Sequence, residues 1–228
     1  MQQLSVVVSG FGPYEHVDVN PSQLVPQIIA ERGIHADETN LDDALRGVEV
    51  NVHAVTMPVS YAGSWTLLKS ELERVQPDIV VATGLKRTAR GILLERGAVN
   101  RTDSTRPDAD DVVGGTGPIN ENGPAAYWTR LPLRSILHAF TQDHTIPASL
   151  TSDAGTYVCN ALFYQLQDWA ARQQRDVLTG FVSLPLVNET PHPQHGLPLE
   201  RQIAAIDHVI RESARYLLEN PTAQSADE

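Results

Sequence analysis

The chain holds a single cysteine, Cys159, so no disulfide framework can form within it. No apolar run approaches the roughly 18 residues a spanning helix needs. Positive charge is also scarce. The 17 Lys and Arg stand against 28 Asp and Glu, a net charge of −11 that repels phosphate backbones and anionic lipids. Nucleic acid and membrane are therefore not expected partners. The first strand-like run, Leu4–Val8, is not preceded by a basic segment or a long apolar stretch, and the expected compartment is the cytoplasm. A dinucleotide fingerprint is excluded as well: Ser9-Gly10-Phe11-Gly12-Pro13-Tyr14 supplies G-x-G after a strand, but no third glycine follows and no helix starts directly after it. No internal repeat is found.

With 228 residues, 41% of them apolar, the chain can bury one sizeable core. A single domain is expected over residues 1–219, followed by a polar tail, 220–228, too poor in apolar residues to pack. Strand-like runs recur at Leu4–Ser9, Val48–Pro58, Asp78–Thr83, Ala148–Ser152 and Gly180–Leu186. Helical spacing marks Pro21–Arg32, Ala62–Arg74, Pro124–Phe140, Cys159–Gln174 and Leu199–Leu218. The alternation predicts α/β layers. Two acidic, polar stretches, His35–Asp43 and Asn100–Gly117, read as solvated loops.

Cys159 opens the helical run that ends near Trp169. A helix start presents unpaired N–H groups and a positive dipole end, which favour thiolate and can hold an oxyanion. A lone cysteine is otherwise a small core residue. Phe11 and Tyr14, at the end of the first strand, form either a simple turn or a flat apolar slot for a small ring. Glu95 stands among apolar residues in Ile92-Leu93-Leu94-Glu95. It is either functional or an ion-pair partner of Arg90 or Arg96.

Four segments carry a resemblance: Ser9–Ser22 (SGFGPYEHVDVNPS), Pro77–Asn100 (PDIVVATGLKRTARGILLERGAVN), Asn122–Pro132 (NGPAAYWTRLP) and Ala154–Leu166 (AGTYVCNALFYQL). Together they resemble the pyroglutamyl-peptidase I family of cysteine peptidases over most of the chain. The resemblance implies a phosphorylase/hydrolase-like three-layer α/β/α fold with a mixed twisted sheet, and a thiol omega peptidase that needs no cofactor. It implies Cys159 as nucleophile and Glu95, at the end of the neighbouring loop, as the acidic member, with Phe11, Tyr14, Val59, Leu85 and Val158 lining the substrate slot. A homotetramer is also implied.

The chain departs from the family pattern at its third catalytic member. Ser183 occupies the position of the family's histidine in Gly180-Phe181-Val182-Ser183, Leu85 replaces a glutamine and Val59 a threonine. The family's arginine before Ile-Pro-Asp is displaced by one position, to Arg106. Ser183 cannot act as a base, and loss of general acid–base help costs about 10²–10⁴-fold in rate. His192 and His195, a few residues further on, are either solvated loop residues or a substitute base. With Glu189 they have weak metal-ligand spacing, and no metal is expected.

The expected function is pyroglutamyl-peptidase-like hydrolysis of an N-terminal pyroglutamate or a related small cyclic amide. The rival expectations are a catalytically impaired family member that binds a small molecule or assembles, and a hydrolase with a more apolar substrate preference.

Overall fold

The computed structural model describes residues 2–15, 17, 19–41, 43–144, 146–189 and 196–221. Within these, a six-stranded sheet has the order β2-β1-β3-β10-β4-β9. Its members are β1 (Gln2–Phe11), β2 (Val48–Met57), β3 (Ile79–Leu85), β4 (Ile92–Glu95), β9 (Ala148–Thr151) and β10 (Leu178–Leu184). The first four in that order run parallel. β4 enters antiparallel to β10, and β9 follows β4 in its direction.

Strand alternation sends successive side chains to opposite faces. Val6, Val8, Ile79, Val81, Ile92, Leu94, Val182 and Leu184 pack on one side, with α1 (Pro21–Arg32), α3 (Leu133–Gln142) and α5 (Leu199–Glu219). Val7, Phe11, Val80, Ala82 and Phe181 pack on the other, with α2 (Tyr61–Val75) and α4 (Val158–Ala171). This is the three-layer α/β/α arrangement with a mixed sheet.

The Pro21–Arg32 helix has the predicted bounds for local reasons. The Asn20 side chain accepts from the Ser22 amide, Pro21 opens the first turn, and Gly33 at φ 73° closes the last. Pro26, inside it, cannot donate to the Ser22 carbonyl four residues back. That carbonyl accepts from Thr83 Oγ1 instead, at 3.3 Å. The helix is thereby tied to β3.

Three expectations are corrected. The Pro124–Phe140 helix starts late: Ala126–Trp128 forms strand β8, paired antiparallel with β5 (Gly97–Val99), and only Leu133–Gln142 is helical. Pro132 is the residue where the helix can begin, since the residue before a proline is steered away from the α region. The solvated loop expected at Asn100–Gly117 is a hairpin of β6 (Thr102–Pro107) and β7 (Val113–Gly117). Its acidic turn is not wholly solvated. Asp108 is buried and accepts from the amides of Tyr61, Asp110 and Val112. Burial alone would raise its pKa, but these amides outweigh burial and hold it below the usual carboxylate range. Third, Glu95 does not end a loop; it ends strand β4.

Gly10 lies where β1 crosses the start of α1. A Cβ added there would sit 1.5 Å from the Ser22 carbonyl oxygen, whereas one added at Gly117 meets nothing within 4 Å. Gly10→Ala is expected to destabilise the fold by at least about 3 kcal/mol in urea unfolding, because backbone must move. Gly117→Ala should change stability by less than about 1 kcal/mol.

Candidate active site

Alternation along β4 and β10 points Glu95 and Ser183 to the face covered by α4. β10 pairs with β3 so that Ser183 lies opposite Gly84. A Cβ on Gly84 would come within 3.0 Å of Cys159 Sγ, so the sulfur rests on bare backbone beside Ser183. Sequence alternation and sheet register thus gather the thiol, the hydroxyl and the carboxyl in one place.

Cys159 is the second residue of α4, after the N-cap Tyr157. Gly155, at φ 78°, makes the preceding turn. The first turn is held by Asn160, a buried side chain that donates to the carbonyls of Val99 (2.9 Å) and Arg101 (3.0 Å) and accepts from the Val99 amide (3.0 Å). Thr156 Oγ1 donates to the Asp103 carbonyl, which fastens the same turn to β6. The amides at the start of α4 have no intrahelical acceptor, the arrangement that suits a helix start to an anion.

Glu95 is fully buried, and its Oε1 accepts from Ser183 Oγ at 2.7 Å. Oε2 has no well-formed hydrogen bond among the described residues, and the nearby Asp153 amide exerts only a weak pull on the carboxylate. Burial raises the Glu95 pKa, against the opposing pull of Ser183 and Lys86. Neither Arg90 nor Arg96 forms an ion pair with it; the Arg96 guanidinium donates to Ser152 instead. Cys159 is half-buried, and its thiol is pushed up to about 12. Burial is the main cause and the negative charge of Glu95 the second, with Arg106 and Lys86 opposing. Such a thiol is held in its protonated form at neutral pH.

A pocket of about 290 Å³ lies over the sulfur. Phe11, Tyr14, Val59, Leu85 and Cys159 line it together, as do Lys86, Arg87, Arg106 and Tyr157. Val158 does not; it is completely enclosed in the core below, among Phe11 and Phe163. Consecutive helix residues point about 100° apart, and here that rotation carries Val158 into the core while Cys159 lines the slot. Glu95 and Ser183 are buried and not in the lining, though the charge of Glu95 reaches the sulfur. His192 and His195 lie outside the described residues.

Sequence pattern alone leaves the cationic residues and Tyr157 without a role. Lys86 and Arg87 directly follow Leu85 at the end of β3, and Tyr157 directly precedes α4, so position after a strand end and before a helix start is the available signal. Arg106, reaching in from β6, lies 5.0 Å from the ring centre of Tyr14 and 4.9 Å from that of Tyr157.

The chain is similar in sequence and fold to known proteins. A profile described as pyroglutamyl peptidase matches residues 4–216. A pyrrolidone-carboxylate peptidase of Brevibacillus brevis is 34% identical over 194 residues, 85% of this chain and 84% of the relative. One from Bacillus subtilis is 32% identical over 210 residues, 90% of this chain and 87% of the relative. Among solved structures, the pyrrolidone carboxyl peptidase of Thermococcus litoralis superposes with a TM-score of 0.82 at 28% identity, covering 95% of this chain and 96% of that one. The pyroglutamyl peptidase I of Bacillus amyloliquefaciens does so at 0.79 and 27%, covering 94% and 96%.

Alkylation by iodoacetamide reads the state of the sulfur directly. The rate at Cys159 is expected to rise about tenfold per pH unit from 7 to 10, as for a thiol that titrates above that window. Glu95→Gln removes a charge that opposes thiolate, and should speed alkylation at pH 9; a slower reaction would show that the carboxylate activates the sulfur.

Proposed function

The chain belongs to the pyroglutamyl peptidase family, and from that membership we propose that it is a cysteine hydrolase that removes an N-terminal pyroglutamyl group or a closely related small cyclic acyl group. The observation that carries the reading is the position of Cys159 Sγ, at a helix start, against Gly84 and facing the apolar pocket.

In this reaction the acyl group lies between Phe11, Tyr14, Val59 and Leu85. The thiol loses its proton, the sulfur bonds to the carbonyl carbon, and the amides opening α4 hold the oxygen that becomes negative. The C–N bond then breaks, the amine leaves with a proton, and water hydrolyses the thioester. Glu95, held by the hydroxyl of Ser183, opposes thiolate by its charge, so the thiol proton passes to solvent water and the departing amine takes one back from it. Each unit of pKa mismatch between donor and acceptor costs about 1.4 kcal/mol. With the thiol near 12, ionisation of the sulfur limits turnover. Leu85 and Val59 offer no hydrogen bond to the amide edge of a lactam ring, which costs about 1–3 kcal/mol of recognition if that edge is unpaired.

The same Ser183 observation favours a second reading, a family member that binds its ligand but turns it over very slowly. The proposal also includes a cytoplasmic location and assembly as a homotetramer, supported by Trp128 and Tyr216, exposed by 70% and 44%, which line one groove. Among the described residues no helix is long and apolar enough to cross a membrane.

Hydrolysis of a pyroglutamyl 4-nitroanilide tests the proposal. The wild-type rate should be low at pH 7 and climb towards pH 10, and Cys159→Ala should abolish it; equal turnover by that variant would overturn the covalent route. Ser183→His restores an imidazole between Glu95 and the sulfur, and is expected to raise kcat about 10²–10⁴-fold at pH 7. A gain below threefold would favour the binding role.

A further inference from the structure

Charge is distributed around the pocket in the opposite sense to the whole chain. The net charge is −11, yet the described residues lining the pocket include Lys86, Arg87 and Arg106 and no carboxylate. The three cations are held in place. Lys86 Nζ donates to the Asp153 carbonyl at 2.7 Å, with the Asp153 carboxylate 4.0 Å away and largely exposed. Arg87 donates to the Glu15 carbonyl at 2.6 Å, and the Glu15 carboxylate takes both arms of Arg106, Nε at 3.0 Å and a terminal nitrogen at 2.5 Å. Glu15 holds this double contact with a positive φ of 42°, a conformation disfavoured for a non-glycine residue. Glu15 therefore gathers two guanidinium groups, Arg87 on its carbonyl and Arg106 on its carboxylate, and its single charge balances only one of them.

The cations are not spread evenly over the pocket. Phe11, Val59 and Leu85 are apolar, and Phe11 is buried. Lys86 and Arg106 have side chains about a third to a half exposed, and Arg87 is exposed. A ligand whose apolar head enters the slot beside the sulfur leaves its remainder beside these side chains. Lys86 carries three donors and each arginine five, more than the contacts above use, so donors remain for a ligand anion.

From this layout we infer that the cleft selects short N-terminally blocked peptides in which the residue after the scissile bond is acidic. The inference rests on the reading that the slot beside Cys159 takes the acyl group. Lys86 and Arg87 hold the side-chain carboxylate of the next residue, and Arg106, fixed between the rings of Tyr14 and Tyr157, is the wall that adds positive potential. Opposite charge in a partly desolvated cleft gives selectivity that weakens with salt.

The test separates binding from turnover. Calorimetric titration of the Cys159→Ala protein with pyroglutamyl-glutamate, pyroglutamyl-glutamine and pyroglutamyl-lysine, each amidated at its C-terminus, is expected to give affinities falling in that order. Glutamate should bind at least about tenfold more tightly than lysine at 20 mM NaCl, and the ratio should shrink to about threefold or less at 200 mM. Carrying Lys86→Gln and Arg87→Gln on the same background should remove the preference, while circular dichroism shows the fold intact. Equal affinities, a preference for lysine, a preference that survives the double substitution, or no binding of any of the three would each overturn the inference. Turnover of the same peptides by the protein with Cys159 intact is read separately. Charge-selected binding without hydrolysis sinks the hydrolase reading alone, and hydrolysis without charge preference in kcat/KM sinks this inference alone.

Discussion

β4 enters a parallel sheet backwards, and the site depends on that reversal. Because β4 runs antiparallel to β10, its last residue, Glu95, lies opposite Phe181, two positions from Ser183 on the same strand face. The alternation of side chains then leaves both groups under α4. Glu95 is completely enclosed, and the hydrogen bond from Ser183 is the well-formed contact its carboxyl has there. Were β4 parallel, its C-terminal end would run to the same sheet edge as Leu184; reversed, it turns back from that edge and leaves Glu95 inward, beside Phe181. Catalytic geometry here is a matter of strand direction before it is a matter of side-chain chemistry.

Placed this way, the carboxyl acts on the sulfur with the wrong sign for activation. In a thiol–imidazole–carboxylate arrangement, a positive ring separates the two negative groups and stabilises both. With a neutral hydroxyl at 183, the negative charge of Glu95 and the burial of the sulfur both favour the protonated thiol, and the opposing charges of Arg106 and Lys86 do not reverse this. The scaffold that presents the sulfur is nonetheless complete: the Gly155 turn, the Asn160 clamp and the bare backbone at Gly84 are all in place. The architecture and the proton chemistry have separated in this chain.

Much of this is legible from the residues. The helices at 21–32, 61–75, 158–171 and 199–219 follow from apolar spacing and, for the first, from Asn20, Pro21 and Gly33 at its ends. The resemblance picks out Cys159, Glu95, Phe11, Tyr14, Val59 and Leu85, which the fold brings around one sulfur. The parts that are not legible have physical reasons. β4, β5 and β8 are three or four residues long, too short to display alternation. The β6–β7 hairpin is rich in Thr, Gly and Asp, residues that read as loop, and it is held by contacts with residues 59 to 61 and 156, far away in sequence. Alignment of motifs assigns Val158 to the slot; one residue of helix rotation moves it into the core. The cations of the rim carry no periodic signal, because their common feature is the side of the cleft on which two separate segments end.

That hairpin has a mechanical consequence. Its turn is bound to the start of α2 through Asp108, which collects three backbone N–H groups, and through Ser60, whose hydroxyl donates to Asp110. Its other end is hooked to the residues leading into α4. Tyr14 and Tyr157 both reach the Pro107 carbonyl between these anchors. The wall bearing Arg106 is therefore a beam supported at both ends. It cannot bend at its middle without releasing one support, so amide exchange along residues 102 to 117 should proceed as a single cooperative opening event.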